Sequence, residues 1–117
     1  MKRINRVRKH QEFSSIIHES HSVKSKHFSI YYHVKEEPLT RIGISVSKKN
    51  GGATIRTLIK RQVRAMIGAN YNLNLPYDIV IIVRTNYQTD EFASNTKELI
   101  ENLGKIGEQG SEKIKQN

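Results

Sequence analysis

The sequence contains no cysteine, which excludes a disulfide framework, a thiol nucleophile and a Cys-ligated zinc site. It also lacks any apolar run near the roughly 18–20 residues needed to span a bilayer, and its opening Lys2 and Arg3 lead into more charge instead of the apolar core of a signal peptide. A cytoplasmic location and no membrane partner are the expectations. Acidic residues are the other scarcity: none lies between Lys48 and Arg64. From Met1 to Arg64 there are 15 Lys and Arg against 4 Asp and Glu, whereas Ala65 to Asn117 has 5 against 7. The whole of the net charge of +9 thus sits in the first half of the chain. A field this one-sided costs some stability by self-repulsion and favours a polyanionic partner, nucleic acid ahead of an anionic membrane.

At 117 residues the chain is read as one domain spanning 1–106, with 107–117 as a flexible C-terminal tail. After a basic arm (Arg6, Arg8, Lys9), Phe13, Ile16 and Ile17 fall at i, i+3, i+4 and predict a short helix ending near His18. Phe28 to Val34 alternates, with Phe28, Ile30, Tyr32 and Val34 on one face and Ser29, Tyr31 and His33 on the other, the period of a half-buried strand. Glu36-Glu37-Pro38-Leu39 reads as a hairpin connection to a second strand, Arg41–Ser47. That strand places Ile42, Ile44 and Val46 against Gly43, Ser45 and Ser47. Its small-residue face beside Tyr31 either forms a smooth floor for single-stranded nucleic acid or lets a helix pack closely, and both readings stand. The uninterrupted Ile79-Val80-Ile81-Ile82-Val83 predicts a strand covered on both faces. Asp90 precedes a last helix carrying Phe92, Leu99, Ile100, Leu103 and Ile106. If Val23 to Ser47 holds three short strands the order is α-β-β-β-α-β-α, and one strand fewer if it does not; either way the class is an α+β fold with one small sheet.

The segment from Lys48 through Gly51-Gly52 to Arg64 is the most informative. As a helix from Ala53 it gathers Ile55, Leu58, Ile59, Val63 and Met66 on one side and aligns Arg56, Lys60 and Arg64 at i, i+4, i+8, with Arg61 beside them. A basic row is often only a solvated face. Here no carboxylate is available for intrahelical pairing, and each like pair four apart costs about 0.2–0.5 kcal/mol until an anion lies against it. The paired glycines let a partner's phosphates approach the free N–H groups of the helix start. Lys48, Lys49, Arg56, Lys60, Arg61 and Arg64 are the candidate nucleic-acid-binding residues.

Catalytic constellations are not found. His18-x-x-His21 has spacing that suits a metal, yet no third ligand is placed to complete a set, so no metal is assigned to the protein. Asp78 and Asp90 are a strand apart, Glu36 and Glu37 diverge on a turn, and neither a Ser-His-Asp arrangement nor a P-loop is supported.

The run Ile42-Gly43-Ile44-Ser45-Val46-Ser47-Lys48-Lys49, followed by Gly51-x-Ala53-x-x-Arg56-x-x-x-Lys60-Arg61-x-x-Arg64, resembles the signature of the bacterial ribonuclease P protein component, with no gap in the spacing. The similarity extends through Asn5-Arg6-Val7-Arg8-Lys9-x-x-x-Phe13, Ser22-Val23, Phe28-x-x-Tyr31 and Tyr77-Asp78, over roughly the first 85 residues. It implies an α/β sandwich with a left-handed β-α-β crossover, against the usual rule. It further implies ribonuclease P RNA and precursor tRNA as partners, with the RNA holding the catalytic Mg²⁺ and performing the hydrolysis and the protein binding no cofactor of its own. A cleft of Phe13, Ile17, Tyr31, Ser45 and Ser47 for the five-prime leader is implied as well. The chain departs from the family pattern at Gly52 and Thr57, where asparagine is usual, and at Ala65, where an acidic or amide residue is frequent. The alternative function is a general RNA-binding or ribosome-associated protein of similar fold.

Overall fold

The computed structural model describes residues 1–7, 9–18 and 21–106 together with the backbone of 107–116. Helix α1 (His10–His18) is followed by β1 (His21–Lys24), β2 (Phe28–Val34), β3 (Arg41–Val46), α2 (Ala53–Asn70), β4 (Tyr77–Val83) and α3 (Phe92–Gln116). The order is the expected α-β-β-β-α-β-α. The side chains beyond Ile106 lie outside the described residues, while the backbone expected to leave the last helix as a tail at 107–117 continues α3 as far as Gln116.

The four strands form one mixed sheet in the order β1-β2-β4-β3. β2 pairs antiparallel with β4 and β3 pairs parallel with it, so β3, α2 and β4 form the crossover unit. The expected hairpin between β2 and β3 is therefore corrected, because β4 lies between them. Ile79, Val80 and Ile81 are all fully buried, and only a central strand offers partners on both edges and cover on both faces. The 35–40 connection instead packs on the loop before β4: Lys35 N donates to Pro76 O at 2.9 Å, and Thr40 Oγ1 to Leu75 O at 2.8 Å.

One face of the sheet presents Phe28, Ile30, Ile42, Ile44, Ile79 and Ile81 to α2 and α3, which supply Ile59, Val63, Met66, Leu99 and Leu103. Three expected members of this core are outside it, among them Phe92, which is exposed at the start of α3. Val34 ends β2 beyond the covering helices and is 56% exposed, and Ile55 is 42% exposed in the first turn of α2, where it packs on Gly51 instead. The opposite face is covered only in part, by α1 and the N-terminal arm, through Val7, Ile16 and Val80. The site lies where that cover ends.

Candidate nucleic-acid interface

The N-terminal arm is a structural strand substitute. Val7 N donates to Ile42 O at 3.1 Å, and Arg6 bridges Ile42 in parallel on the free edge of β3. Buried Asn5 fixes this register by donating from Nδ2 to Thr40 O at 2.8 Å. The consequence is that Arg6 reaches the basic row of α2. Arg6, Lys60 and Arg64 line one cavity of about 260 Å³ together with Phe13. Burial, and then the neighbouring Arg6 charge, push the Arg64 guanidinium below its ordinary pKa. Nε of Arg6 and Nε of Arg56 are buried without a hydrogen-bond partner among the described residues. Unpaired buried donors cost about 1–3 kcal/mol each. Arg56, Lys60 and Arg64 are half-buried, whereas Arg61, Lys48 and Lys49 are exposed, the two lysines in a short 3-10 turn that leads into Gly51. Gly51 has φ +139°, which favours glycine, and Gly52 is the N-cap of α2 with no side chain to cap it. Lys9 is exposed, and its carbonyl accepts the first amides of α1; Arg8 lies outside the described residues.

The two readings of the small-residue face divide between its residues. Gly43 belongs to helix packing, for a Cβ there would meet Cε1 and Cζ of Phe13 at 2.6 Å. Tyr31, Val80 and Gly43 share one row across the sheet, and Ser29, Ile82 and Ser45 the next. Phe13, Ile17, Tyr31 and Ile82 pack around the Val80 cluster while half-exposed, and Ser45 is also half-exposed. An open channel results, with α1 as one wall. The run through β4 is thus not covered throughout, since Ile82 is where α1 stops. Further along, Ser45, Ser47, Ile82, Arg84 and Asn86 line a depression of about 430 Å³. Exposed Ser47 also sits before the 3-10 turn, its Oγ 3.4 Å from Asn50 Oδ1.

Sequence reasoning missed Lys24. It pairs with Ser29 on β1, on the Tyr31 side of the sheet, and its Nζ stands 5.9 Å from the Tyr31 ring centroid. A strand this short has no readable period, so only the register with β2 reveals it.

Also missed was the role of Asp78, which is 3% exposed. It takes Arg41 Nε and Nη2 at 3.1 and 2.9 Å, Lys35 Nζ at 2.7 Å and His33 Nε2 at 3.2 Å. Burial alone would raise its pKa, but the bonds from Arg41 and Lys35 outweigh that and hold it below the ordinary value. Four cationic or ring donors fill the acceptor sites of this carboxylate, which leaves it no capacity as a base. Ser25, His27 and Glu98 also meet, between the β1–β2 turn and α3. Glu98 is central there: Ser25 Oγ donates to one of its oxygens, and His27 Nδ1 lies 2.6 Å from the other. The serine therefore faces the acid and not the imidazole, unlike a nucleophile-base pair. His21 stacks on Tyr32 at 5.3 Å, and no cluster of three potential metal ligands occurs among the described residues.

Fold and charge distribution define a small basic protein of the α+β sandwich class with one cationic face. The family described as Ribonuclease P matches residues 1–107. The ribonuclease P protein component of Streptococcus agalactiae is 36% identical over 100 residues, covering 86% of this chain and 92% of that one. The Mesoplasma florum component is 40% identical over 101 residues, 85% and 92% of the two chains. Among solved structures, the Staphylococcus aureus RNase P protein superposes with a TM-score of 0.72 at 31% identity, covering 87% of this chain and 96% of that one. The Thermotoga maritima protein gives 0.66 at 28% identity, covering 86% and 93%. The chain belongs to the ribonuclease P protein family, whose members are components of an endoribonuclease that processes tRNA. No helix among the described residues is long and apolar enough to cross a membrane.

Proposed function

We propose that the chain is the protein subunit of ribonuclease P, binding the catalytic RNA through α2 and the arm, and the single-stranded five-prime leader of precursor tRNA through the channel beside α1. One observation carries the reading. Arg6, Lys60 and Arg64 converge on one cavity, and the buried Nε donors of Arg6 and Arg56 have no hydrogen-bond partner among the described residues. A phosphate there relieves the repulsion between Arg6 and Arg64 and gives the Arg6 guanidinium an anionic partner. Phe13 lines both this cavity and the channel, so a strand with a base beside Phe13 or Tyr31 has its phosphates within the reach of the cationic row. Such stacking is worth about 1–3 kcal/mol per base and is tolerant of sequence.

In this reading the phosphodiester hydrolysis and its Mg²⁺ belong to the RNA, and the protein contributes charge neutralisation and leader positioning. The one buried carboxylate among the described residues, Asp78, is saturated by its partners and takes no part. The test is to add the purified protein to bacterial ribonuclease P RNA at low Mg²⁺ and follow precursor-tRNA cleavage. Restored cleavage is expected. Binding without restored cleavage is the result predicted for a general RNA-binding protein.

A further inference from the structure

We infer that Arg41 and Glu12 are positioning residues that set where α1, and therefore the Phe13 ring, stands over the channel; the inference rests on the leader reading given above. Arg41 opens β3 directly opposite Asp78 in the parallel register with β4. Its guanidinium divides between two elements: Nε and Nη2 hold buried Asp78 of the sheet, and Nη1 holds Glu12 of α1 at 2.7 Å. Lys35 and His33 also hold Asp78, so the sheet end of this link is braced independently of α1. Glu12 is the residue next to Phe13, whose ring rests on Gly43.

Ile16 and Val80 supply the attraction between α1 and the sheet, but burial is non-directional and tolerates sliding or rotation of the helix. A forked guanidinium is directional. It fixes the rotation of the first turn of α1, and Phe13 follows that turn. Glu12 is only partly buried, so the link contributes little to global stability, as surface pairs do. Its role is placement.

The proposal makes a prediction of unusual sign. Removing a carboxylate from a protein that binds a polyanion should, by charge alone, tighten every RNA ligand by a similar factor. Positioning predicts the reverse for one ligand. With the protein assembled on ribonuclease P RNA, Glu12→Leu, which leaves Arg41 Nη1 no acceptor on α1, should lower the preference for precursor over mature tRNA by roughly tenfold, within the range that losing one stacked base spans. Mature tRNA affinity and melting temperature should stay near the parent's. Arg41→Lys keeps the charge on Asp78 but has no fork with which to hold Glu12, so it should reproduce the loss, and the double variant should lose no more than either single one. An unchanged precursor preference in Glu12→Leu, or an equal shift for both ligands, overturns the positioning role while leaving the leader reading intact. A parent complex with no precursor preference takes down the leader reading and this inference with it.

Discussion

Replacing Gly43 with alanine pits two effects of opposite sign against each other. Alanine in place of glycine within a strand ordinarily stabilises by about 0.5–1 kcal/mol, because the unfolded chain has fewer conformations to lose. Here the new methyl would lie 2.6 Å from Cε1 and Cζ of Phe13 and 3.1 Å from Cβ of Val7. Ordinary carbon contacts need roughly 3.5–4.0 Å, so the ring must retreat by about 1 Å. Overpacking of this kind costs about 1–3 kcal/mol, which exceeds the entropic gain. A net loss near 1–2 kcal/mol follows, a fall of about 4–8 °C in melting temperature for a domain of this size. The assay is a double-mutant cycle read by thermal or urea unfolding. In the parent, Phe13→Ala removes a half-buried ring and destabilises; in the Gly43→Ala background it also relieves the clash, so its cost should shrink by about 1 kcal/mol or more. If Gly43→Ala melts at or above the parent and the two changes add within about 0.5 kcal/mol, Phe13 does not rest on Gly43 and the channel wall has been misplaced.

Further outcomes are expected. Arg64→Ala should weaken binding to ribonuclease P RNA and reduce the salt slope by about 0.9, one phosphate contact on a duplex; lower affinity at an unchanged slope would mean that the residue acts through folding. Tyr31→Ala should weaken precursor but not mature tRNA binding, and Lys24→Met should reduce the precursor salt slope by about 0.7, the single-strand value, which a slope equal to the parent's would contradict. At Glu98, burial acting alone would raise the pKa, but bonds from His27 and Ser25 hold it below its ordinary 4.5. Its contribution is therefore full above that value and lost as pH falls through the lower folded value, so Glu98→Gln should flatten the drop in melting temperature below pH 4.5 and leave a pH-independent cost. Gly52→Asn should raise stability by only a few tenths of a kcal/mol, since Gly52 is the N-cap and a side chain there meets nothing within 4 Å, whereas Thr57→Asn on the exposed face of α2 should change RNA affinity with little change in melting; the reverse pattern would assign the roles the other way.

The elements were legible wherever one period dominated. The 3.6-residue spacing of Ile59, Val63 and Met66 and the alternation of Phe28, Ile30 and Tyr32 each mark a single buried face, and all six residues are buried. Val34 and Ile55 obey the same periods yet stand exposed, because period specifies direction and cannot specify how far the covering element extends. The order of the strands was less accessible. Two strands joined by a short polar connection read as a hairpin, and their separation by β4 follows from a competition for the sheet's centre among segments distant in sequence.

That insertion also explains why only part of the interface could be read. The cationic row belongs to one helix, so its spacing is local and visible in the chain. The channel is assembled from α1, β1, β2, β3 and β4, and placing β4 at the centre brings Tyr31 and Gly43 to opposite sides of Val80 in a single row. Lys24 joins it only through the β1–β2 register, and Arg6 reaches Arg64 only because Asn5 and Val7 pin the arm to the edge of β3. The arm looks like a solvated basic tail in sequence, since burial of its two anchors is decided by a strand more than thirty residues away. Binding residues supplied by one element are therefore readable from spacing, whereas those supplied by the meeting of elements need the register that creates them.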